Sequence, residues 1–129
     1  MVAGLEALAM ALPCKLYLTY RSEYLVLRDL CVGVRDRATG SWLPLHSAAC
    51  AHVLGPVHST EAEPREALPL RIGERLCLYA APRRIATGPI VAVEEPSRAL
   101  LSEADRQWEA LFRPTDVRHS ALMLALKNG

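Results

Sequence analysis

Apolar and polar residues alternate with a period of two over much of the chain between Lys15 and Glu95, the signature of β-strands with one buried face. In KLYLTY, Leu16, Leu18 and Tyr20 fall on one face and Lys15, Tyr17 and Thr19 on the other. Arg21-Ser22-Glu23 breaks the run, and YLVLR resumes it with strong strand formers. Asp29 turns the chain into CVGVRDR, where strict alternation sets Val32 and Val34 against Cys31, Gly33 and Arg35. Ala38-Thr39-Gly40 suits a hairpin loop, Gly40 being free to take positive φ. SWLPL then returns as the partner strand, with Pro44 marking an edge or an end.

The pattern changes at Ser47. AACAHVL predicts a short helix with Ser47 as its N-cap and Gly55 as its stop. PVHSTEAEPREA, with two prolines and Glu61, Glu63 and Glu66, predicts an acidic loop. Alternation resumes from Leu68. ERLCLYA sets Leu76 and Leu78 against Arg75, Cys77 and Tyr79, Ala81-Pro82-Arg83-Arg84 predicts a turn, and the final strand runs to Val93. Pro89 places that strand at an edge or at its own start.

The two ends of the chain follow helical spacing. Leu5, Leu8 and Leu12 suggest a short helix or an extended lead-in closed by Pro13. Ser102 and Asp105 form a capping signal, with Ala104, Trp108, Leu111 and Phe112 on one side of the helix that follows. Pro114 ends that helix, and Thr115 or Asp116 can cap a second one containing ALMLAL.

The expected fold is mainly β (α+β): six to eight short strands in a small curled antiparallel sheet or barrel, with a short central helix and a C-terminal helical pair. Residues 1–129 read as a single domain, with a β-block at 15–45, helix and acidic loop at 46–67, a second β-block at 68–95 and a helical tail at 97–127.

At 129 residues and 51% apolar, the chain is long enough to bury a core without a metal or disulfide. The formal net charge of +1 provides no bulk field toward nucleic acid or an anionic membrane. Cys14, Cys31, Cys50 and Cys77 are scattered, and the apolar start MVAGLEALAMAL lacks a basic n-region and carries Glu6. The expectation is a cytoplasmic protein with reduced thiols and no membrane association.

Phosphate loops, H-E-x-x-H, G-x-S-x-G and dinucleotide fingerprints are absent. The stretch Asp36-Arg37-Ala38-Thr39-Gly40 departs from the D/N-x-S-x-x-G stretch of PilZ-type cyclic-dinucleotide receptors. It has Ala in place of Ser and its glycine one position early, and no R-x-x-x-R stretch precedes it.

Three functional readings follow. The first is a non-catalytic binding or assembly module that self-associates as a homodimer or docks a protein partner. It would use the apolar C-terminal helix, with Val117, Leu122, Leu124 and Leu126 as contacts, and no cofactor. The second is a small barrel that binds nucleic acid or nucleotides on an arginine-rich sheet face built from Arg35, Arg37, Arg75, Arg83 and Arg84. Tyr17, Trp42 and Tyr79 would interleave that face, while ordinary pairing with Glu23, Asp29, Asp36 and Glu74 is the bland account of it. The third is a thiol- or metal-dependent enzyme around Cys50 and His52, with His46 and His58 nearby, although the spacing matches no standard zinc pattern.

Overall fold

A computed structural model describes residues 9, 12–44, 46–57 and 71–111, with side chains described as far as residue 107. Seven strands form one antiparallel sheet: β1 (Cys14–Leu18), β2 (Ser22–Leu27), β3 (Leu30–Asp36), β4 (His52–Val57), β5 (Arg75–Ala80), β6 (Arg83–Pro89) and β7 (Ala92–Glu94). A helix, α1 (Arg98–Leu111), follows. The strand order is β6-β5-β4-β3-β2-β1-β7. The mainly β fold expected from the alternation is therefore present.

The ladder is not closed, but the chain itself links its two edges. Only Ile90 and Val91 separate β6 on one edge from β7 on the other, where β7 pairs with β1. A two-residue link between opposite edges requires the sheet to curl. One apolar cluster lies on the curled sheet's inner side: Tyr17, Tyr24, Val26, Cys31, Val34, Leu76, Leu78 and Ile90, with Ala48 and Ala51. A second, on the other face, joins Cys14, Leu16, Leu18, Leu25, Leu27, Leu30 and Val32 to Leu100, Leu101 and Ala104 of α1. Both faces of β1–β3 are thus buried, which explains why YLVL is a continuous apolar run.

Register departs from strict alternation in β3. The pairing steps from Leu25↔Gly33 to Val26↔Cys31, leaving Val32 as a bulge. The extra residue reverses the parity, so Val32 packs in the α1-side cluster and Val34 in the inner one, not together as alternation predicts. Strand β5 keeps the predicted faces, with both Leu76 and Leu78 inside.

The short central helix predicted at Ser47–Leu54 is not formed. Residues 47–50 are turns, and His52–Val57 is the interior strand β4. Gly55-Pro56 reads as punctuation in the sequence, yet both residues sit inside this strand. Gly55 takes φ 142° next to a bulge at Leu54, and Pro56 needs no donor toward β3 because the β3–β4 ladder holds only Leu30↔His52. Beyond that pair β3 turns to residues 41–43 instead: Arg35 bridges Trp42, and Leu43 N–H donates to Val34 O at 2.8 Å. The predicted SWLPL strand is reduced to that bridge.

The turns follow their chemistry. Gly40 adopts φ 73°, and the Asp36 carboxylate accepts from Thr39 N–H and Oγ1 at 2.9 and 2.8 Å, which holds its pKa below the ordinary value. Helix α1 begins four residues before the predicted Ser102 cap. Ser97 is the N-cap, its Oγ accepting from Leu100 N–H at 3.0 Å directly after Pro96. The second helix of the tail lies outside the described residues, as does the segment 58–70 that contains most of the acidic loop. Among the described residues no helix is long and apolar enough to cross a membrane.

Candidate functional site

The strand register spreads the five sequence-predicted arginines along the sheet. Arg35 lies at the end of β3 opposite Glu23 on β2, and its Nε donates to Glu23 Oε1 at 2.6 Å. Its Nη1 stands 3.5 Å from Glu103 Oε1 on α1, and its guanidinium lies 5.8 Å from the Trp42 ring centroid. Trp42 Nε1 donates to the same Glu103 oxygen at 2.6 Å. The ring reaches this position because residue 33 is glycine: a Cβ there would meet Trp42 Cζ3 at 2.7 Å. Glu23, Arg35, Trp42 and Glu103 therefore form one junction that holds α1 against the sheet.

Arg37 and Arg75 are similarly engaged. Arg37 donates through Nη1 to Thr19 O at 2.7 Å, and Arg75 through Nη1 to Thr87 O at 3.1 Å. The buried Thr87 hydroxyl accepts from Leu76 N–H at 3.0 Å and donates to Gly88 O at 2.7 Å, filling the irregularity between β5 and β6.

Arg83 and Arg84 are placed differently. They open β6 after a two-residue turn containing a cis Ala81–Pro82 peptide, and both are exposed. Leu30 pairs with His52, His52 with Tyr79 and Tyr79 with Arg84, so this cluster adjoins the start of β3. Arg35, five residues further along β3, is displaced by about 17 Å of strand length. No single basic sheet face unites the five residues. His52, Tyr79 and Arg84 instead form a direct cross-strand row on the outer side, away from Leu76 and Leu78. His52 and Tyr79 were not joined to the arginines by sequence spacing; only the pairing register reveals the row.

Three of the four thiols, those of Cys14, Cys31 and Cys77, are buried. Cys31 and Cys77 are 0% and 2% exposed, and none of the four cysteines is in a disulfide. Burial chiefly, with Glu95 adding and Lys15 opposing, pushes the Cys14 thiol up to about 11, the opposite of what a nucleophile requires. Cys50 takes φ 69° and its N–H donates to Cys31 O at 2.9 Å, a structural bond. His46 Nδ1 accepts from Ala48 N–H at 3.0 Å, and the ring meets Tyr24 edge-on at 6.0 Å. Burial holds its pKa below the ordinary imidazole value. Among the described residues no group of three or more His, Cys, Asp or Glu is placed to hold a metal ion; His58 lies outside them.

A groove of about 510 Å³ opens at the foot of α1. Leu12, Pro13, Cys14, Pro96 and Leu101 line it, and the Lys15–Glu95 ion pair and Arg98 stand at its polar margin.

No known family model, curated protein or solved structure matches this chain. Val117, Leu122, Leu124 and Leu126 lie outside the described residues.

Proposed function

We propose that the chain is a non-catalytic assembly module that associates with a second copy of itself, the apolar run containing Val117, Leu122, Leu124 and Leu126 supplying the contacts. The observation that carries this reading is the groove at the foot of α1. Its lining is apolar and its margin carries both signs of charge, the pattern of a protein-binding surface with an apolar centre and a polar rim. The run Ala121–Leu126 carries no charge, so it complements such a lining without burying an unpaired ion. Engagement of Arg35, Arg37 and Arg75 inside the fold favours this reading over a nucleic-acid interface built on all five arginines.

Sedimentation of the full chain across the micromolar range tests it. The expected result is a concentration-dependent dimer that the Leu122→Asp/Leu126→Asp double variant converts to monomer with an unchanged far-UV spectrum. A monomer at the highest micromolar concentrations, or a dimer indifferent to those substitutions, overturns the proposal.

A further inference from the structure

We infer that the groove at the foot of α1 also takes the run 117–126 of its own chain, so that closure within one copy competes with association between two. This rests on the reading of that run as the groove's ligand and adds what regulates the site. Chain length supplies the argument. Arg98 and Leu101, in the first turn of α1, line the groove, and the helix leads away from it to Leu111. Ten residues of helix put that end about 15 Å from Leu101. Five residues, 112–116, then separate Leu111 from Val117. Connections of about 2–8 residues are those that join antiparallel helices, and Pro114 within this one prevents α1 from running straight on. The run 117–126 spans about 14 Å as a helix and about 30 Å extended, so in either conformation Leu124 and Leu126 can return to the level of the groove.

A monomer without closure would leave both the apolar lining and the uncharged run Ala121–Leu126 facing water. A tethered segment meets its own groove at an effective concentration of about 1 mM, far above the micromolar concentration of a second copy. Closure therefore takes precedence at low concentration. Two copies that exchange their runs make the same contact in a dimer. Because exchange conserves the contact, the connection 112–116 sets the balance between monomer and dimer. A connection too short to fold back leaves the run available only to a second copy.

Cys14 reports occupancy of the groove, since it lines the groove and is 7% exposed. The test is alkylation of the full-length protein by iodoacetamide at about 0.1 µM, below the concentrations at which copies meet, read thiol by thiol by peptide mass mapping. The reaction is run at about pH 9 because burial holds the Cys14 thiol protonated at neutral pH. Leu122→Asp/Leu126→Asp is expected to raise the Cys14 rate about tenfold, with Cys50, which does not line the groove, as the internal reference. Deleting residues 113–116 leaves one connecting residue and is expected to tighten the dimer at least about tenfold in sedimentation. Far-UV spectra verify that each variant is folded. Equal Cys14 rates in the native chain and the double variant overturn the proposal, as does a dimer that the deletion leaves unchanged or weaker. Cys14 protection at dilution with no dimer at any micromolar concentration supports closure and overturns only the assembly reading. A dimer without that protection does the reverse.

Discussion

Arginines tied into the fold and the arginine exposed at the β5–β6 turn are placed differently, although the sequence presents them as one population. Arg35, at the end of β3, is locked between Glu23, Trp42 and Glu103, while Arg37 after β3 and Arg75 at the start of β5 are tied to main-chain carbonyls. At the β5–β6 turn, Arg83 opens β6 opposite Ala80 and is exposed. The surroundings each strand supplies, not residue type, separate an arginine that holds the fold together from one exposed at a turn. Arginine suits the first role because its planar fork satisfies several acceptors at once and stacks on an indole.

Substitutions at the locked end probe the contrast most strongly. Side-chain exposures of 22% for Arg35 and 11% for Glu23 put this pair between the surface and fully buried cases. Arg35→Gln is expected to lower unfolding free energy by about 2–3 kcal/mol in urea titration, because Glu23 is left nearly buried without its cation. Gly33→Ala follows, at about 1–3 kcal/mol, since its Cβ would collide with the Trp42 ring. In a Trp42→Ala background the same change should cost far less, and this non-additivity identifies the ring as the cause. Thr87→Val removes the acceptor for the buried Leu76 N–H and should cost about 1–2 kcal/mol, measured in the same way.

The smallest effect is expected from pH. An imidazole held below its ordinary pKa binds fewer protons in the folded protein than in the unfolded chain. The His46 contribution is therefore complete above about pH 6.5 and is lost as pH falls from there through the folded-state value. Urea midpoints for the native chain and His46→Gln should converge below that window and diverge above it. Parallel pH profiles would show that His46 carries no linkage.

Much of the fold was legible because alternation and punctuation agreed. Strands β1, β2, β3 and β5 stand close to where period-two runs placed them, Gly40 takes its predicted positive φ, and Ala104 lies on the buried side of α1. The failures have local physical causes. The bulge at Val32 reverses which face each β3 residue meets, and no single-strand pattern carries that information. Strand β4 was hidden by Gly55-Pro56, residues that normally interrupt a strand but fit here beside a bulge and a splayed neighbour. Ser97 caps α1, whereas Ser102 and Asp105 have the same spacing one turn inside it. The candidate site was legible residue by residue but not as a group. Sequence spacing cannot tell that Arg84 is level with the start of β3 while Arg35 lies five residues further along it, because pairing through β4 and β5 decides that.

The contrast between a locked and an exposed arginine is tested most directly by urea unfolding of Arg35→Gln and Arg83→Gln side by side. The expected result is a loss of about 2–3 kcal/mol for Arg35→Gln and a change within about 0.5 kcal/mol for Arg83→Gln. Equal losses, or a larger loss at Arg83, would contradict the assignment of Arg35 to the fold's internal support.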